Sequence, residues 1–165
     1  MLTWLKVSAA ICVALMFANR MHAEDGLVTQ RILSLGMAKT IAEGALAECR
    51  AKGYHTAVAV VDRAGQLLVF LRDEQATPET IEMARRKAYT ARIFRIPTLE
   101  FRERTKGDQP NSGQRDVTDM LALGGGVPIK AGDETIGGVA SSGSGQEIDD
   151  GCAKAGIAKV ANLLK

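Results

Sequence analysis

The sequence predicts an α+β fold in which helices pack on an antiparallel sheet. Two pairs of apolar runs, each joined by a glycine-containing turn, read as hairpins, and three longer stretches carry apolar residues at helical spacing. Their order is helix, hairpin, helices, hairpin, helix, which segregates helices from strand pairs rather than alternating them. No internal repeat or interdomain linker interrupts the pattern, and 165 residues suit one domain with a sizeable core.

The elements follow in order. Residues 24–32 form a short arm, extended around 28–32. Ser34 can cap a helix running to about Lys52, whose buried stripe is Ala38, Ile41, Ala42, Ala45 and Cys49. Gly53 ends it in a positive-φ cap. The small residues of that stripe let the helix lie close to a sheet. Residues 56–61, TAVAVV, make a strand, Asp62-Arg63-Ala64-Gly65 turns the chain, and 66–72 return as its partner. Both strands are too apolar for a solvated face, so helices are expected over one face and neighbouring subunits over the other.

Thr77-Pro78 marks the next helix start, with Thr77 as cap and Pro78 in the first turn. Ile81, Ala84, Ala88 and Ala91 give its inward stripe as far as Arg95, and Ile96-Pro97 breaks it. A shorter helix runs from Thr98 through Arg104, followed by a polar loop over 106–115. Gly124-Gly125-Gly126 leads into Val127-Pro128-Ile129, a hairpin follows at 131–133, and 136–140 form the second strand. Pro128 lacks an N–H, which predicts an edge strand or a strand start. Ser144 and Glu147 have capping-box spacing for the last helix, which contains Ile148, Cys152, Ala155, Ile157 and Val160.

The start of the chain reads as a secretory leader. Lys6 precedes an apolar run over 7–18, and a short polar stretch reaches Ala23. Cleavage is expected after Ala23, with Ala18 as the alternative, leaving 24–165 as the folded domain. The apolar run is shorter than the roughly 20 residues of a membrane span, although Met21 is a poor small residue for a cleavage site and an uncleaved anchor stays open. Cys12 lies too early in the apolar run, after a bulky Ile11, for a lipoprotein. Removing 1–23 takes Lys6 and Arg20 and no acid, so the mature chain has 19 basic and 19 acidic residues. That balance gives no field for nucleic acid. The basic clusters Arg85-Arg86-Lys87 and 92–104 are interleaved with acids and read as solvated helix faces. Cys49 and Cys152 survive processing. In an exported protein they can form a disulfide or stay as two buried thiols, and the sequence leaves both open.

Only His55 remains in the mature chain, which excludes a histidine metal cluster. The glycines at 124–126 fail the G-x-G-x-x-G pattern, and neither G-K-[ST] nor G-x-S-x-G is present. No catalytic set is recognisable. His55, at a helix-to-strand junction, is the candidate iron ligand or general base, against the plainer reading of a strand-edge side chain. Met83, Met120 and Tyr89 could also meet a haem plane, but packing explains each of them. Ser141, Ser142 and Gly143 precede the last helix, whose free N–H groups and dipole suit a carboxylate such as a small acid or a haem propionate. Gly124, Gly125 and Gly126 join them as a candidate cradle, with a simple turn as the alternative.

Taken together, AVAVVDRAG, IEMARRKAYTA, GGGVPI, TIGGVASSG and the D-x-x-C-A-x-A-G pattern over 149–156 resemble the GlcG/HbpS family of haem-binding proteins, which includes PduO C-terminal domains. The resemblance spans about 28–164. It implies a profilin-like fold with a five-stranded antiparallel sheet between helices, assembled as a homo-oligomer. It also implies haem as cofactor and, together with the leader, which directs the chain to the periplasm or outside the cell, a role in haem scavenging or redox sensing with a membrane sensor partner. Other members of the family sit beside glycolate or diol utilisation proteins, so a short organic acid is the alternative ligand, for an enzyme or accessory domain. The family's G-V-S-G-G is replaced here by Gly138-Val139-Ala140-Ser141-Ser142-Gly143. No family iron ligand maps onto a numbered position, and His55 rests on its chemistry alone.

Overall fold

Both hairpins form, and they join through their inner strands into one sheet. The computed structural model describes residues 26–165. The leader read at 1–23, Cys12 included, lies outside the described residues. Helix α1 (Leu35–Ala51) starts at Ser34, whose Oγ accepts the Met37 N–H at 3.2 Å, and Gly53 follows its end at φ 81°. Strands β1 (Ala57–Val61) and β2 (Leu67–Arg72) form the first hairpin. Helices α2 (Thr80–Phe94) and α3 (Thr98–Arg104) follow, then β3 (Gly126–Ala131), β4 (Glu134–Ser142) and α4 (Gln146–Ala158). The strand order is β2-β1-β4-β3, antiparallel throughout, with β1 set against β4 from Ala57↔Ser142 to Val61↔Gly138. Pro128 lies in β3, an edge strand, as its missing donor requires.

The sheet has four strands among the described residues, not the five expected. The arm around 28–32 forms no strand. Val28 and Ile32 are exposed and Leu33, the residue after the arm, is buried, so no alternating face fixes a register.

The second correction concerns what covers the sheet. Successive strand residues point to opposite faces, and β1 serves two cores. Val58 and Val60 pack with Ile41, Ala42 and Ala45 of α1 and Ala153 of α4, whereas Ala57, Ala59 and Val61 pack with Ala84 and Ala88 of α2. The chain's own α2 therefore covers the face that had been assigned to other subunits. The α2 side is built from alanine and glycine, so backbones meet closely: a Cβ on Gly138 would come within 2.4 Å of the Ala88 carbonyl oxygen.

Helix α2 begins at Thr80, later than Thr77-Pro78 suggests. The Thr77 carbonyl accepts the Thr80 N–H at 3.2 Å and the Thr80 hydroxyl at 2.6 Å, which makes a turn ahead of the helix. Its buried face is Thr80, Ala84, Lys87, Ala88, Thr90 and Ala91, while Ile81 points outward at 44 % exposure. Lys87 thus belongs to the core and not to a solvated basic face. Cys49 and Cys152 form a disulfide with Cα atoms 5.6 Å apart, tying α1 to α4. The bridge spans a sequence separation of 103 residues, and closing such a loop stabilises by about 5 kcal/mol in the chain-entropy model.

Candidate functional site

Where the end of β4 meets the starts of α2 and α4, the surface opens into a cleft of about 330 Å³, in the range of small-ligand pockets. Met83 and Leu123 give it apolar wall, and Ser142, Gly143 and Ser144 give it backbone and hydroxyl groups, with Lys87 also in its lining. Each element supplies its part for a local reason. Met83 and Lys87 are four apart on α2 and share a face. The serines are the exit of β4 and the lead into α4.

Beneath the cleft lies a closed polar cluster. Lys87 Nζ is 3.0 Å from Asp149 Oδ2 and donates to the Ser141 carbonyl at 3.1 Å, with both charged side chains almost fully buried. Burial pulls the Lys87 amine below its ordinary range, and Asp149 offsets part of that. The other oxygen of Asp149 accepts the Ser144 hydroxyl at 2.7 Å, the Ser144 N–H at 3.3 Å and the Ser141 hydroxyl at 3.3 Å. Asp149 therefore makes the back-bond that the capping box assigned to Glu147, and Ser144 donates its hydroxyl to Asp149 and does not cap the helix. The cap residue of α4 is Gly145, which makes no side-chain bond, and Glu147 is exposed. The disulfide lies alongside, with Cys49 Sγ 3.4 Å from Ser141 Oγ.

The glycines at 124–126 support this cluster without lining the cleft. Gly125 is at φ 118°, and a Cβ there would meet Asp149 Cβ and the Ser141 oxygen at 2.7 Å and Lys87 Nζ at 3.0 Å. Only glycine fits both the backbone angle and the space. The Gly124 N–H donates to Gln146 Oε1 at 2.6 Å, and the Gly126 N–H donates to Thr98 Oγ1 at 2.8 Å. Ser141 is fully buried within the cluster. Of the candidate residues, Ser142 and Gly143 line the cleft directly.

His55 stands just outside. Its backbone carbonyl packs under Gly143, where a Cβ would approach it to 2.5 Å, but its ring turns to Asp73, Nδ1 lying 2.9 Å from Oδ1. Asp73 also receives Arg50 at 2.5 Å, and the Gln75 amide, Arg50 and His55 hold its carboxyl down at about 2. A carboxylate on Nδ1 orients an imidazole and leaves Nε2 as the free ring nitrogen, an arrangement common in metal-ligating histidines. The ring is 43 % exposed. Among the described residues no group of three or more His, Cys, Asp or Glu side chains is placed to hold a metal ion by itself.

Sequence reasoning missed Lys87 and Asp149. A signal was available: Lys87 lies three residues after Ala84 and four before Ala91, and Asp149 three before Cys152, so both fall on stripes already read as buried.

Comparison with known proteins places this architecture. The family model described as haem degrading protein HbpS-like matches residues 33–158. A crystal structure of a double mutant of HbpS from Streptomyces reticuli is similar, with 34% identity, a TM-score of 0.76, and coverage of 80% of this chain and 89% of that one. The crystal structure of a PduOC:heme complex is 25% identical, with a TM-score of 0.73, over 77% of this chain and 94% of the other. Protein ORFY of Klebsiella pneumoniae, at 22% identity, shares the fold with a TM-score of 0.79 over 83% of this chain and 96% of that one. No curated protein sequence matches the chain.

Proposed function

The chain belongs to the HbpS-like family, and we propose that it is an exported haem-binding protein that acts as a homo-oligomer in haem scavenging or in haem and redox sensing. The observation that carries this reading is the cleft, where the apolar Met83 and Leu123 face the hydroxyls of Ser142 and Ser144 over a buried lysine. A porphyrin needs that combination of apolar wall and carboxylate partners. An ammonium has three donors, and Lys87 uses two of them on Ser141 and Asp149. The third is left for a ligand. Lys87, Ser142 and Ser144 would take the propionates, Met83 and Leu123 the macrocycle, and His55, oriented by Asp73, the iron. When bound, the haem supplies the redox chemistry, and the protein contributes binding and orientation. The relative solved with heme, PduOC, supports the cofactor. The leader at 1–23 and the disulfide support an oxidising, extracytoplasmic location with a membrane sensor as partner. The profilin-like assignment belongs to this reading as well.

A second reading takes the same cleft as the site of a short organic acid, in an enzyme or accessory domain of an oxidation pathway. The cleft's modest volume and its lysine and serine groups favour it. Haemin titration separates the two. The mature chain should give a saturable Soret band, and His55→Ala should alter the ligand-field bands while leaving propionate contacts in place. Absence of saturable binding removes the haem reading and leaves the acid.

A further inference from the structure

At the opposite end of β4 and α2 from the cleft, three arginines converge. Arg63 comes from the β1–β2 turn, and Arg92 and Arg95 from the last turn and the end of α2. They surround a cavity of about 170 Å³, completed by Asp133, Glu134 and Thr135 at the β3–β4 hairpin. Every residue of that lining is polar or charged.

The three guanidinium groups face two lining carboxylates, Asp133 and Glu134, which leaves a formal excess of one positive charge. Glu134 is engaged by Arg63 at 3.0 Å and by Arg31 at 3.7 Å. Asp62 is occupied in its own turn, its Oδ1 accepting the N–H groups of Ala64 and Gln66 at 2.8 Å. Among the described residues, Arg92 and Arg95 make no side-chain hydrogen bond or ion pair. Arg92 Nε is buried without a partner. Arg86 and Arg104 share that last feature, but each donates a terminal nitrogen elsewhere, Arg86 to the Met120 carbonyl and Arg104 to Gln114. Burial and then repulsion from Arg95 and Arg63 pull the Arg92 guanidinium below its ordinary range, with Asp62 opposing.

Arg95 adds an independent observation. It closes α2 in the left-handed region, at φ 60° and ψ 24°, where glycine is the favoured residue. A side chain kept at a strained backbone position beside like charges points to a use for its guanidinium.

We propose that Arg63, Arg92 and Arg95 form a binding site for a small, multiply charged oxyanion of the phosphate class. Guanidinium groups present planar donor forks that match phosphate oxygens in pairs. The lack of any apolar residue in the lining and the small volume favour a compact ion over the carbon skeleton of an organic acid. Thr135 offers one further hydroxyl. The site is separate from the cleft: Met83 and Arg92 are nine residues apart on α2, about 14 Å along its axis.

The test is calorimetric titration of the full chain with inorganic phosphate and with pyrophosphate, alongside vesicles of phosphatidylcholine containing phosphatidylglycerol. Saturable binding of pyrophosphate in solution is expected at or below about 1 mM. Arg92→Gln and Arg95→Gly should each weaken it at least about tenfold, while Arg102→Gln, on α3, should leave it unchanged. Arg95→Gly relieves the strained backbone, so its fold is not at risk. Loss of binding in a variant at least as thermally stable as the parent supports a site built on that guanidinium. No saturable binding of either soluble anion, equal binding in the variants, or binding to vesicles alone would overturn the proposal.

Discussion

The two ends of helix α2 handle buried positive charge in opposite ways. At the cleft end, Lys87 is nearly fully enclosed and meets Asp149 and the Ser141 carbonyl, and Asp149 in turn is met by Ser141 and Ser144. At the far end, Arg92 is only partly enclosed, its Nε has no partner, and its nearest charged influences include two more arginines. A satisfied buried pair fixes structure, because removing either member strands the other in a medium that solvates charge poorly. An unanswered cluster fixes little by itself and has interaction left for a ligand. The first arrangement shapes the cleft and leaves one Lys87 donor towards it, and the second is itself shaped for an anion.

That contrast is most sharply broken by substituting the two cations in the same way. Lys87→Met should destabilise the protein by about 3–5 kcal/mol, since Asp149 is left buried and unpaired. Lys87→Met with Asp149→Leu should recover much of that loss. Urea unfolding measures both, and a cost below about 1 kcal/mol for the single variant would mean that the pair is not buried in solution. Arg92→Met keeps the apolar stem and removes only an unanswered charge, so stability should stay within about 0.5 kcal/mol. A large loss there would reveal a partner for Arg92 and would erase the contrast.

A smaller effect sharpens the comparison at the cleft's outer edge. The Asp73 carboxyl is held at about 2 in the fold against about 3.9 in an unfolded chain. A depressed carboxyl contributes stability that is fully present above the unfolded value and is lost as pH falls from about 4 towards 2. Asp73→Asn should flatten the pH dependence of stability in that window. Unaltered acid sensitivity would mean that other carboxyls carry it.

Much of the fold was legible because apolar periodicity reports burial directly. The stripe Ala38, Ile41, Ala42, Ala45, Cys49 lies on the buried face of α1, and all but the first residue of TAVAVV form the wholly buried strand β1. The positive-φ end at Gly53 follows from the same kind of local rule. The sheet's width was not legible, since Val28 and Ile32 look like strand residues but alternation alone does not create a partner. Nor was the second covering layer: alanine-rich helices can face solvent or a sheet, and only the small residues of β1 and β4 show that α2 lies on this one. Ser142 and Gly143, which line the cleft, could be read as candidates because turn chemistry is local. Lys87 was hidden by its neighbours, since Arg85-Arg86-Lys87 reads as a charge run until its position on the Ala84–Ala91 stripe is weighed. The arginine site could not be read at all, because Arg63 joins Arg92 and Arg95 only through tertiary structure.

Haem is proposed to enter the cleft at the start of α2 and not the basic end of the molecule. Haemin titration of Met83→Glu beside Arg92→Gln tests it most directly. Met83→Glu places a carboxylate in the cleft lining and should weaken haemin binding by at least about tenfold, equivalent to roughly 1.4 kcal/mol, whereas Arg92→Gln should leave the affinity unchanged. Unimpaired binding in Met83→Glu, or a loss confined to Arg92→Gln, would contradict the assignment.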